Sequence, residues 1–192
     1  MESRSMTDGT GSWSKRFIWT AIIQGGIVVG LTAVIVVGQA YFLKPEISRV
    51  IASGGAGTWF TFGYLIYISV GIIAVAVSAV FYHLLGTRSG SKIFGALAWA
   101  HLILMNVGIS AAAGLMMYAG YIGGAAALPE AVGGEGLNPG QVHGLIAPFV
   151  EPIAVAILLI LAGVISGGIG FVLAYKQNHE QEDDRNHHSR VK

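Results

Sequence analysis

Four long apolar runs, separated by short polar connections, constrain this chain more than any other feature. They cover residues 17–43, 59–85, 93–123 and 142–175. Each exceeds the roughly 20 helical residues needed to cross about 30 Å of hydrocarbon. Helix is the form expected for all four, because four strands cannot close a barrel and an open sheet edge has no hydrogen-bond partners in lipid. The sequence therefore predicts an all-α integral membrane four-helix bundle. Residues 1–16 form a short segment before it, 17–175 the membrane domain, and 176–192 a polar tail. The third and fourth runs are longer than the minimum, so tilt, kinks or interfacial extensions are expected.

Composition excludes several classes of function. Of 192 residues, 54% are hydrophobic and only 11% charged, about half the charged fraction of a soluble domain. With no cysteine, disulfides, thiolate metal sites, iron–sulfur clusters and covalently attached c-type haem are ruled out. A net charge of +1 gives no global field that would draw nucleic acid, so no such partner is expected. The opening "MESRSMTDGTGSWSKR" lacks the profile of a cleaved signal, and the run after it is too long for a signal core; it is taken as a retained first span.

The cations are unevenly placed. Arg4, Lys15, Arg16, Arg88, Lys92, Lys176, Arg185, Arg190 and Lys192 fall on one side of the four crossings, and only Lys44 and Arg49 on the other. Positive connections stay inside, which predicts that both termini are cytoplasmic. The expected location is a prokaryotic cell membrane. The tail "KQNHEQEDDRNHHSRVK" has mixed charge and no apolar periodicity, and reads as a solvated, disordered end. Its paired His187 and His188 are incidental on that reading. The connection "AALPEAVGGEGLNPGQ" is a loop by its glycine and proline content.

Small residues recur four apart within the runs: Gly26 and Gly30, Gly120 and Gly124, Gly163 and Gly167. At that spacing helix backbones can approach closely, which is how membrane helices pack without a hydrophobic drive. The pairs predict either tight packing within the bundle or faces that dock on other membrane subunits or on a second copy. The aromatic residues Tyr41, Trp59, Tyr82, Trp99, Tyr118 and Tyr175 fall near run ends, as an interfacial belt would.

Polar groups inside apolar runs are expensive, and they are the candidate functional residues. His101 and Asn106 lie in the third run and Glu151 in the fourth, between Pro148 and Pro152. Asn106 is expected to tie two helices together. His101 either donates to a carbonyl or to Asn106, or joins His83, at the end of the second run, as a ligand of b-type haem. Glu151 either satisfies carbonyls freed by Pro152 or, with His101 and Asn106, belongs to a proton path. His143 is expected to be interfacial.

The order of elements from "WFTFGYL" through "AVFYHLLGTRSGSK" and "AWAHLILMNVGISAAAGLMMYAGYIGGAA" to the fourth run resembles the C-terminal helices of subunit I in the haem-copper oxidase and nitric oxide reductase superfamily. The helix end "FYHLLG", the polar connection "TRSGSK", the glycine-bearing centre "LMNVG" and the segment "GYIGG" carry the resemblance, which covers Trp59 to Tyr175. The departures are as informative. The place of the family's His-x-His haem ligands reads "TWFTFGYL", the copper-binding histidine cluster has no counterpart, and "GGAAA" stands where the family's paired arginines meet the haem propionates. The resemblance therefore implies a non-catalytic accessory or scaffold subunit of a respiratory electron-transfer complex, with no cofactor expected. A b-haem electron-transfer protein using His83 and His101 is the first alternative, and a small transporter or proton conductor through Glu151 the second.

Overall fold

The computed structural model describes residues 8–87 and 95–190. Arg4, Arg88, Lys92 and Lys192 lie outside them, as does the expected start of the third run at Ile93. The backbone forms α1 (Asp8–Tyr41), α2 (Ile47–Ala52), α3 (Thr58–Ile66), a π-helical segment (Tyr67–Ala74), α4 (Val75–Thr87), α5 (Gly95–Ala127), α6 (Pro139–Ile146) and α7 (Val150–Arg190). No strand occurs among the described residues. Four helical stretches are long and apolar enough to cross a membrane: Trp13–Tyr41, Gly55–Leu85, Gly95–Ala127 and Pro139–Gln177. That is the make-up of an integral membrane protein, and each stretch coincides with one apolar run.

The boundaries follow local chemistry. α1 ends before "KPEISR", where Glu46 pairs with Lys44 and lies 3.3 Å from the Arg49 guanidinium. The fourth stretch begins three residues earlier than hydropathy predicts because "NPGQ" is a capping box. The Asn138 side chain accepts from the Gln141 amide at 3.1 Å, and the Gln141 side chain accepts from the Asn138 amide at 3.0 Å. A 3-10 turn at Ala147–Phe149, with Pro148, divides α6 from α7. Pro152 falls in the first turn of α7, directly after the 3-10 turn. At its other end α7 continues to Arg190, through the stretch for which composition predicts a disordered tail. Propagating an established helix through Lys, Gln and Glu needs no new nucleus.

α5 is the central helix. It packs antiparallel against α7 on one side and against α3 on the other, while α1 packs on α4 and the π-helical segment. The core has two parts. One gathers Phe17, Val75, Ala79, Tyr82, Ala98, Leu102 and Met105 at the end where α1 begins, and the other joins Tyr67, Ile109 and Ala113 nearer the centre. Toward its far end α1 leaves the bundle, and Val34, Val36, Val37 and Tyr41 are exposed.

Candidate functional site

His101 stands where all four long helices meet. Its ring is 4% exposed, with Phe17 of α1 at 5.0 Å and Phe171 of α7 at 6.0 Å between ring centres. α4 supplies its polar partners: Ser78 Oγ lies 3.4 Å from Nε2 and Tyr82 Oη lies 3.4 Å from Nδ1. Ser78 already donates its hydroxyl proton to the Ala74 carbonyl at 2.9 Å. Its oxygen can therefore only accept from His101, so Nε2 carries the hydrogen and Nδ1 accepts from Tyr82. One donor and one acceptor are both satisfied, matching the inventory of a neutral imidazole. Tyr82, expected in an interfacial belt, is instead buried as part of this cluster.

Gly167 closes the remaining side. A β-carbon there would lie 2.6 Å from His101 Cε1 and 2.7 Å from Cγ, so the α7 backbone rests on the imidazole. The other glycines of the inner seams have similar tasks. A β-carbon at Gly163 would meet the Met105 amide nitrogen at 2.8 Å. One at Gly120 would run into the Phe60 backbone, and one at Gly124 would sit 2.5 Å from the Val50 side chain. A β-carbon at Gly108, in "LMNVG", would meet the Ala156 carbonyl oxygen at 2.8 Å. Gly26 and Gly30 differ: both are exposed, and a β-carbon at either would meet nothing within 4 Å.

Asn106 bonds across to α1 through Gln24, a partner that sequence reasoning omitted. Tyr67 donates to Gln24 Oε1, Gln24 Nε2 donates to Asn106 Oδ1 at 3.0 Å, and Asn106 Nδ2 donates to the Leu102 carbonyl at 2.7 Å. Gln24 and Tyr67 are both buried. The bulge of the π-helical segment begins at Tyr67, and such bulges redirect side chains within a span. A second link joins Thr32 Oγ1 to Tyr64 Oη at 2.7 Å. Interhelical bonds of this kind are worth about 0.6 kcal/mol each, less than the packing around them, so they fix helix register more than they hold the bundle together. Gln24 had a signal in the sequence, since "AIIQGGIVV" places an amide inside an apolar run just as "LMNVG" does. Tyr67 had none.

The structure does not bring His83 and His101 together. Ser78 and Tyr82 share the α4 face that meets His101, and His83 is turned about 100° from Tyr82. His83 is exposed and lines a groove between α1 and α4 with Ile18, Ile22 and Val80. An iron on His101 would have to lie along Nε2 or Nδ1, where Ser78 and Tyr82 already stand. These residues do not fit a haem held between the two histidines.

Glu151 is also apart from His101. It is exposed on the first turn of α7, whereas His101 is level with Gly167, sixteen residues further along, or about 24 Å. Among the described residues Asn106 bonds Gln24 and Leu102 rather than His101 or Glu151. Among the described residues, no three His, Asp or Glu side chains cluster as a metal site would require. Comparison with protein-family models, with curated proteins and with solved structures gives no match for this chain.

Proposed function

We propose that the chain is a non-catalytic, accessory or scaffold subunit of a larger membrane assembly, and that both of its termini face the cytoplasm of a prokaryotic cell. The outward face of α1 carries this reading. Gly26 and Gly30 are bare there, between exposed Ile22, Ile23, Ile27, Val29 and Val34. Glycine in a helix interior costs about 1 kcal/mol relative to alanine unless something approaches its backbone. β-branched neighbours, held in one helical rotamer, make preformed ridges beside such a groove. The pattern fits a helix from another subunit. The motifs between Trp59 and Tyr175 support a respiratory electron-transfer complex as that assembly, and the missing family ligands support a role without chemistry of its own.

The test is the double variant Gly26→Leu/Gly30→Leu, isolated in mild detergent from the native membrane beside the wild type. The wild type is expected in a particle larger than one chain, and the variant as a folded chain released from it. A wild type that runs alone, or a variant that stays in the particle, overturns the proposal.

A further inference from the structure

A second groove lies on the opposite flank of the molecule, between the end of α4 and α7. Its volume is about 640 Å³, and Phe81, Leu84, Phe171, Val172, Tyr175 and Lys176 line it. All are apolar or aromatic except Lys176, which stands where the apolar run of the fourth stretch gives way to "KQNHE". The floor is firm: Phe171 packs at 5.4 Å from Phe81 and 4.8 Å from Tyr82. At the open end Tyr175 and Lys176 provide an aromatic ring and a cation at the level where headgroups meet hydrocarbon. The lining runs five to six residues along each helix, about 8 Å, the depth of a glycerol backbone and the first methylenes of its chains. A cation above an apolar slot between spanning helices complements a lipid phosphate.

The α1–α4 groove is a natural control. It is comparably large, about 560 Å³, and equally apolar, but among the described residues no lysine or arginine lines it.

We propose that the α4–α7 groove is a binding site for an anionic phospholipid, its acyl chains against Phe171 and Val172 and its headgroup on Lys176. Because Phe171 also covers His101, the bound lipid braces the aromatic wall of the buried histidine. The site is independent of the α1 face and of any partner docked there.

The test uses the full chain, purified and delipidated, with bound lipid counted by native mass spectrometry after addition of phosphatidylglycerol or phosphatidylcholine at equal ratio. The wild type is expected to retain phosphatidylglycerol about fivefold better, the preference one lysine near a headgroup supplies. Lys176→Gln should bring the two lipids to parity, and Val172→Trp, which fills the slot from an exposed position, should reduce both. Equal retention by the wild type overturns the proposal, and so does a preference that survives Lys176→Gln. Loss of preference in Lys176→Gln with no effect of Val172→Trp would mean a surface headgroup contact and an empty groove, overturning the site. A dimer that Val172→Trp dissociates would assign the groove to a second copy instead.

Discussion

The inner seam of α5 and the outer face of α1 carry the same sequence signature and have opposite structural fates. At Gly120, Gly124, Gly163 and Gly167 a neighbouring backbone or ring fills the space a β-carbon would need, while at Gly26 and Gly30 that space is empty. Small residues four apart thus report that something approaches closely, without reporting what. In the seam the answer lies within the chain: Phe60, Val50, Met105 and His101. On α1 nothing within the described chain supplies it, and the proposed partner helix would.

The sharpest way to break this contrast is one substitution on each side. Gly120→Leu forces a side chain into the Phe60 backbone, which cannot give way as a flexible chain end would, and overpacking of this kind costs about 3 kcal/mol. Gly26→Leu in the isolated chain, where a β-carbon meets nothing within 4 Å, should cost nothing and instead raise stability by up to about 1 kcal/mol, because it removes a glycine from a helix interior. Thermal unfolding in detergent would compare the two. If Gly26→Leu proved as damaging as Gly120→Leu, α1 would pack differently from the arrangement described.

Histidine allows the same comparison with a smaller expected effect. His101→Ala empties a site enclosed by Phe17, Tyr82, Gly167 and Phe171. It should cost about 2 kcal/mol, at the lower end for buried truncations because the polar partners are long. His83→Ala, on an exposed position of α4, should cost less than about 0.5 kcal/mol. Equal losses in the same unfolding assay would contradict the burial of one ring and the exposure of the other.

What the sequence made legible follows from which forces decide each feature. Hydropathy over 20 residues decides whether a helix spans, so the four stretches and their order could be read directly. Which face of each helix turns inward could not, because residues on both faces are apolar when lipid replaces water, and the amphipathic stripe that orients a soluble helix is missing. Val29 and Val75 are the same residue type, one largely exposed and the other wholly buried. Only the rare polar side chains orient the helices, and that clue was in part available: Asn106 announces a contact, and Gln24 is its partner. His101 was legible as buried. Its neighbours were not, since nothing local in "AVFYHLL" reveals that Tyr82 turns inward and His83 outward.

The smallest expected effect lies outside both regions, in the connection that joins α1 to α2. The Lys44 ammonium hydrogen-bonds the Glu46 carboxyl and holds it below the ordinary carboxylate range; a backbone hydrogen bond adds to this, and the Lys44 and Arg49 charges assist. A carboxyl whose folded pKa is depressed contributes stability above its unfolded value and loses it as pH falls through the folded one. Acidification should therefore loosen the start of α2, where the Arg49 and Val50 amides bond the Glu46 carbonyl at 3.0 Å, before it affects the buried seam. Glu46 is exposed enough that solvent screens the pair, which keeps the effect minor. The carboxyl-carbon resonance of Glu46, followed against pH, should titrate below the ordinary range in the wild type and move up toward it in Lys44→Gln. A midpoint unchanged by Lys44→Gln would show that the Lys44 hydrogen bond is not what holds the carboxyl down, and would leave the backbone hydrogen bond and Arg49 as its remaining causes.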